Sequence, residues 1–178
     1  MKDLQTMEHG APHGAMNNNI SDGSQYLTFQ IENETYGVEI LKVQEIRGWS
    51  EPTQIPNAPK FIRGVMNLRG AIVPILDLRR RFNMAETEFT QYTVVIVVNV
   101  QGRTIGMVVD AVSDVVELDD EQVKSAPDFG TSIDATFIHG LAEAEGRMVI
   151  LLNIDAMLQS CELVRLDKMA AEHQEVAE

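Results

Sequence analysis

The segment Phe61-Ile-Arg-Gly-Val-Met-Asn-Leu-Arg-Gly-Ala-Ile-Val-Pro-Ile-Leu-Asp-Leu78 returns later in the chain as Phe137-Ile-His-Gly-Leu-Ala-Glu-Ala-Glu-Gly-Arg-Met-Val-Ile-Leu-Leu-Asn-Ile154, without a gap. Phe61, Ile62, Gly64, Gly70, Val73 and Leu76 meet Phe137, Ile138, Gly140, Gly146, Val149 and Leu152 at a constant offset of 76 residues (137 − 61). A second block, Tyr36-Gly-Val-Glu-Ile-Leu-Lys-Val-Gln-Glu-Ile46, matches Ile105-Gly-Met-Val-Val-Asp-Ala-Val-Ser-Asp-Val115 at an offset of 69 (105 − 36). Such a duplication implies two similar modules, and the positions where the copies differ are where their roles diverged. The seven residues separating the offsets are an insertion in the second copy, between Leu118 and Thr136, where Pro127, Gly130 and small polar residues mark a loop.

Each copy has only about 70 residues, a size at which one hydrophobic core is marginal, so the copies are expected to share buried surface. From Tyr26, Leu27, Phe29 and Ile31 alternate with Thr28 and Gln30, and Asn33 turns the chain into a return strand through Tyr36 and Val38. The counterpart, Val94 to Val100, is apolar on both faces before Gln101-Gly102, which predicts a strand deep in a shared core. Gly70 and Gly146 each separate two apolar strands where a tight turn needs φ > 0, so both repeated blocks read as β-hairpins. Pro74 cannot donate to a ladder and predicts an edge or a bulge. Asp77 is placed to cap a short helix over 78–82, and Asp155 a longer one carrying Leu158, Cys161, Leu163, Val164, Leu166 and Met169 at helical spacing, which should lay one face on the barrels. The expected architecture is mainly β: twin small barrels of about five strands each, with short helices and a C-terminal helix. Residues 1–24 read as a disordered tail, 25–160 as a folded domain of two subdomains, and 161–178 as a C-terminal helix with a frayed end.

The formal charge of −13 argues against duplex nucleic acid, which needs clustered Lys and Arg. Cys161 is the single cysteine, so no intrachain disulfide or thiolate metal site forms, and a reducing cytoplasm is the natural compartment. No apolar run of signal-peptide or membrane-span length occurs, so direct membrane insertion is not expected.

The first hairpin tip, Asn67-Leu68-Arg69-Gly70, differs sharply from its counterpart Glu143-Ala144-Glu145-Gly146, with Arg69 replaced by Glu145. An arginine beside Leu68 and Met66 is the composition of a protein contact, although an ordinary exposed turn accounts for it as well. Glu45 and its counterpart Asp114 read either as solvated strand faces or, for Glu45 with Arg69, as a charged rim around an apolar groove. The acidic run from Asp110 to Glu121 lacks the spacing of an EF-hand loop; Asp119 as an N-cap with Gln122 three residues on explains it better. His139 is the one histidine in folded sequence, and no nucleophile elbow or phosphate-cradling loop accompanies it, so no catalysis, metal or cofactor is expected.

With these hairpins, the Tyr36 to Arg47 segment and the run Gly64-Val-Met-Asn-Leu-Arg-Gly-Ala-Ile-Val-Pro-Ile-Leu-Asp-Leu-Arg79, the chain resembles the CheW family of bacterial chemotaxis coupling proteins from about Gln25 to Leu158. The resemblance implies two intertwined five-stranded barrels of SH3 type and an adaptor with no chemistry of its own. It implies binding to the cytoplasmic hairpin tip of methyl-accepting chemoreceptors and to the regulatory domain of the histidine kinase CheA, with recruitment from the cytoplasm to receptor arrays. Carried over position by position, Val43, Glu45, Gly64 and Arg69 fall at the receptor contact. Val94 and the loop Lys124-Ser-Ala-Pro-Asp128-Phe129 fall at the kinase contact, with Lys124 and Asp128 replacing similar residues. The chain departs from the family at 131–135 and in its long N-terminal tail. The same fold occurs within CheA and CheV, but 178 residues leave no room for their further domains. A small-molecule sensor using the cleft between barrels is the reading from another class.

Overall fold

A computed structural model describes residues 23–127 and 135–158. Ten strands alternate down the chain: β1 (Ser24–Ile31), β2 (Glu34–Glu39), β3 (Val43–Gly48), β4 (Ile62–Leu68), β5 (Ala71–Asp77), β6 (Val94–Val100), β7 (Arg103–Val109), β8 (Ala111–Leu118), β9 (Ile138–Ala144) and β10 (Arg147–Leu152). Helix α1 (Leu78–Arg81) follows β5 and α2 (Ile154–Leu158) follows β10, while short 3-10 turns occupy Ile40–Lys42, Asp120–Gln122 and Ala135–Phe137. The strand orders are β8-β1-β2-β10-β9 in one sheet and β3-β6-β7-β5-β4 in the other. Each sheet therefore takes a hairpin from one copy and three strands from the other, and the modules are intertwined rather than side by side.

The exchange is made by two short parallel pairings that are counterparts of each other. Ile75 lies opposite Gly106 between β5 and β7, and Leu151 opposite Gly37 between β10 and β2. Both glycines belong to the duplicated blocks for a steric reason. A Cβ on Gly106 would stand 2.7 Å from Ile75 Cδ1, and one on Gly37 2.9 Å from Leu151 Cδ2. Even the bulges repeat, one between Val43 and Glu45 on β3 and one opposite Thr28 and Phe29 of β1, where β8 passes from Val112 to Asp114.

Three apolar clusters result. The largest joins the barrels, with Phe29, Ile31, Tyr36 and Val38 from one sheet, Ile96, Val98, Ile105 and Met107 from the other, and Phe82, Ile154 and Met157 from the segments that follow the hairpins. Each barrel has a smaller private cluster: Leu68, Val73, Ile75, Val95, Val97 and Val108 in one; Tyr26, Leu118, Ala142, Val149 and Leu151 in the other. Strand β6 faces the shared cluster with Ile96 and Val98 and its own barrel with Val95 and Val97, as its unbroken apolar sequence predicts. The shared core is why one copy alone does not make a barrel.

Several local expectations need correction. Of the expected N-terminal tail, residues 1–22 lie outside the described residues, and Ser24 already belongs to β1, pairing with Leu118. Asn33 lies in the first hairpin turn as expected, with Glu32 beside it at a φ of 55°. Pro74 lies on neither an edge nor a bulge: β5 is flanked by β7 and β4, and the register slip is in β4, between Ile62 and Gly64. Its missing N–H shows instead in the parallel ladder, which begins only at Ile75, whereas the counterpart Ile150 pairs with Tyr36. Asp77 caps α1 by accepting from the Arg79 and Arg80 N–H groups, as expected. On α2 the cap is Asn153, the counterpart of Asp77, whose Oδ1 accepts from Ala156 N–H at 3.1 Å. Asp155 belongs to the first turn instead. The expected capping box is present, with Asp119 N–H donating to Gln122 Oε1 at 2.8 Å. Lys124 stands opposite Leu141 as Thr53 stands opposite Val65, an offset of 71 (124 − 53), which splits the insertion into two residues before Lys124 and five after.

Candidate interaction surfaces

Strands β3 and β4 are the two edges of their sheet, and the barrel closes where they approach. Thr53, just past β3, exchanges two backbone hydrogen bonds with Val65 of β4, of 2.9 and 2.8 Å. Close approach is allowed because Gly64 has no side chain: a Cβ there would lie 2.1 Å from the Thr53 carbonyl oxygen, and its φ of +146° suits glycine. Gly64 is buried, so it shapes the corner rather than presenting a contact atom.

The β4–β5 tip extends beyond this closure. Arg69 and Gly70 adopt φ of 53° and 88°, the paired left-handed values of a two-residue hairpin turn, and Asn67 Oδ1 accepts from Gly70 N–H at 2.9 Å. The turn aims Arg69 back at β3, where its Nη2 donates to Glu45 Oε2 at 2.9 Å. The Arg69 side chain is 86% exposed and that of Glu45 25%. Val43, half-buried, packs against the shared core beneath this strand. Sequence reasoning placed Leu68 and Met66 on the contact surface, but Leu68 is buried in the private cluster and Met66 packs against it. The turn owes its leucine to the barrel interior, so the surface here is polar, with exposed Ile46 on β3 as its apolar neighbour.

The kinase-contact candidates lie on different barrels. Val94 opens β6 and pairs with Gly48 and Val109, whereas Lys124 is exposed on the closure of the other barrel, pairing with Leu141. Asp128 and Phe129 lie outside the described residues. A feature that sequence reasoning missed is Trp49 stacked on Phe89 at 4.0 Å, with the Arg63 guanidinium 4.8 Å from the Phe89 ring. Phe89 belongs to no repeat block, so only the folded chain brings it to Trp49.

Between the barrels, charged groups engage one another. Arg79 Nε donates to Asp110 Oδ1 at 2.8 Å, its Nη2 pairs with Asp110 Oδ2, and its Nη1 donates to Glu32 Oε1 at 3.2 Å. Burial works to raise the Asp110 carboxyl, but hydrogen bonds from Arg79 and from Glu32 N–H outweigh it and hold the group below the usual carboxylate range. On the opposite side Lys42 Nζ donates to Asp155 Oδ2 at 2.9 Å; burial would lower this ammonium, but Asp155 and Glu39 raise it. The Arg81 guanidinium sits between the duplicated pair Phe61 and Phe137, at 4.8 and 4.5 Å from the two rings. Among the described residues no buried side-chain polar atom lacks a partner. His139 is exposed on β9 at the position corresponding to Arg63, and no group of metal-ligating side chains occurs among the described residues. No helix among them is long and apolar enough to cross a membrane.

Comparison with known proteins bears on this arrangement. The family model described as CheW-like domain matches residues 25–162. The chemotaxis protein CheW of Klebsiella aerogenes is 46% identical over 151 residues, covering 85% of this chain and 91% of its own. That of Bacillus subtilis is 30% identical over 139 residues, covering 78% and 89%. The crystal structure of the scaffolding protein TtCheW from Thermoanaerobacter tengcongensis superposes with a TM-score of 0.69 at 32% identity, covering 74% of this chain and 85% of that one. The chain belongs to the CheW-like domain family, a family of scaffolding proteins and not of enzymes.

Proposed function

We propose that this chain is the coupling scaffold of a chemotaxis array, holding the cytoplasmic hairpin tip of a methyl-accepting chemoreceptor at the Val43, Glu45 and Arg69 corner, with Gly64 shaping that corner from beneath. It holds the regulatory domain of the histidine kinase CheA through Val94 and the loop from Lys124 through Asp128 to Phe129. From the cytoplasm it is thereby recruited to membrane-associated receptor arrays. One observation carries the receptor assignment: of two homologous barrel closures, only one bears a complementary, exposed charge pair, Arg69 with Glu45 at 2.9 Å, while its twin bears Glu145 and Asp114. Exposed ion pairs add little to stability, so a pair kept on one barrel and lost on the other fits recognition better than folding. The shared core makes both barrels one rigid body, and a rigid body with two docking surfaces raises the effective concentration of each partner for the other.

The test is reconstitution from purified receptor fragment, kinase and this protein, reading receptor-dependent autophosphorylation with radiolabelled ATP. Arg69→Glu abolishes receptor coupling and Phe129→Ser weakens kinase association alone. A mixture of the two variants stays inactive, because no single molecule has both surfaces. Near wild-type activity from the mixture refutes the bridge.

A further inference from the structure

The mouths of the two barrels are built from counterpart positions and filled differently. In the first barrel Leu68 is buried with Val73 and Val97, and Arg69 reaches over to Glu45 at 2.9 Å. In the second, Ala144 stands at the position of Leu68, Thr28 at that of Val97 and Glu145 at that of Arg69. A leucine shortened to alanine and a bridging cation replaced by an anion leave a hollow of about 330 Å3, lined on its apolar side by Ala144 and Val149 at the end of the private cluster.

The rest of the lining is polar and carries both signs of charge. Buried Thr28 donates to the Asp114 carbonyl at 3.0 Å and accepts from Asp114 N–H at 3.1 Å, so it fixes the strand bearing Asp114 where Val97 merely packs. Asp114 Oδ1 accepts from Val115 N–H at 2.7 Å. Arg147, at the position of Ala71, brings a guanidinium into the same hollow as Glu145 and Asp114, yet none of the three forms an ion pair among the described residues. Gln30 and Thr35 add an amide and a hydroxyl. An open hollow forfeits packing that its twin keeps, and unpaired groups of opposite charge converging on it are what orient a small ligand.

We propose that this mouth binds a zwitterion of amino-acid size, its carboxylate on Arg147, its ammonium between Glu145 and Asp114, and its side chain against Ala144 and Thr35. The guanidinium fork matches a carboxylate, and two carboxylates serve the three donors of an ammonium. A ligand that is only an anion meets two like charges, and one that is only a cation meets Arg147, so the lining selects both ends on one molecule. The bound ligand gives the second barrel the plug and the bridge that Leu68 and Arg69 give the first.

Titration of L-glutamine into the intact, isotope-labelled protein, followed by amide chemical shifts, tests this. Saturable shifts are expected at Thr28, Ala144 and Arg147 and not at their counterparts Val97, Leu68 and Ala71. L-glutaminamide, which lacks the carboxylate, and N-acetyl-L-glutamine, which lacks the ammonium, should each bind about tenfold more weakly or worse, the factor that loss of one charge-assisted contact gives. Arg147→Gln should erase the difference between L-glutamine and L-glutaminamide, a readout that a merely structural arginine would not move. Ala144→Leu, which restores the plug of the twin, should abolish binding without lowering the melting temperature. Absence of saturable shifts, equal binding of the three compounds, or wild-type affinity in Ala144→Leu overturns the proposal.

Discussion

The two halves of this molecule share a backbone plan down to their bulges and hairpin turns, yet their charges are arranged with opposite sense. At the barrel closures Arg69 pairs with Glu45 on one half, while Glu145 and Asp114 line a shallow hollow with Arg147 on the other. The struts between barrels repeat the contrast. On one side the helix contributes the cation, Arg79 to Asp110; on the other it contributes the anion, Asp155 to Lys42. Arg79 and Asp155 are counterparts, so each helix is matched in charge to the opposite copy. A helix folding back on its own copy would set Arg79 beside Lys42 and Asp155 beside Asp110. Duplication therefore supplied the geometry, and charge reversal at a few positions made the copies non-interchangeable, both in how they assemble and in what their corners present.

The largest effect expected from breaking this comparison is at the closures. Gly64→Ala puts a Cβ 2.1 Å from the Thr53 carbonyl oxygen at a positive φ, and should cost about 3 kcal/mol or more. Gly140→Ala meets Val123 Cγ1 at 2.6 Å and the Lys124 carbonyl at 2.8 Å without the positive φ, and should cost less, about 2 kcal/mol. Denaturant melts of both variants check the order; equal losses would mean that backbone conformation does not distinguish the closures.

Next in size are the struts. Asp110→Arg places a second cation against the mostly buried Arg79 and should cost about 2 kcal/mol or more, and adding Arg79→Asp should recover most of it by reversing the pair. If the double variant is no more stable than the single one, polarity is not what matters at this strut.

pH separates the two limbs. Asp110 is held below its ordinary pKa in the folded protein, so its contribution is present above the usual carboxylate range and is lost as pH falls through the lowered value. Tyr36 is raised by burial to about 12 and Lys42 is raised as well, so their contributions are present below the ordinary values and disappear as pH rises. For Tyr36 the rise corresponds to stability on the order of 3 kcal/mol, lost as pH climbs from 10 to about 12. Replacing Tyr36 with Phe should flatten the alkaline limb of a stability profile and leave the acid limb unchanged.

The smallest folding effect is expected at the corner assigned the largest binding effect. Arg69→Glu should shift stability by no more than about 0.5 kcal/mol, because its ion pair is exposed, while weakening receptor-fragment affinity by about 2 kcal/mol or more. Glu145→Arg, the reverse change on the twin tip, should leave receptor affinity unaltered. A collapsed melt for Arg69→Glu would make the pair structural.

Much was legible in the chain before folding. The paired glycines, the turn positions at Arg69 and Glu145, the doubly apolar β6 strand and the Asp77 cap are local or periodic, and local steric and hydrogen-bonding rules write them directly into residue order. Leu68 was misread because a hairpin tip looks solvated until the barrel interior beneath it is known. Pro74 was misread because whether a missing N–H matters depends on which strand lies alongside. The ion pairs Arg79 to Asp110 and Lys42 to Asp155 join residues 31 and 113 positions apart, and no pattern along the chain announces them. The sequence by itself determined that there are two copies, what each is made of and where they differ. Only the tertiary structure decided that the copies exchange hairpins, since that outcome depends on burying one large core common to both, an energy that belongs to the pair and to neither copy alone.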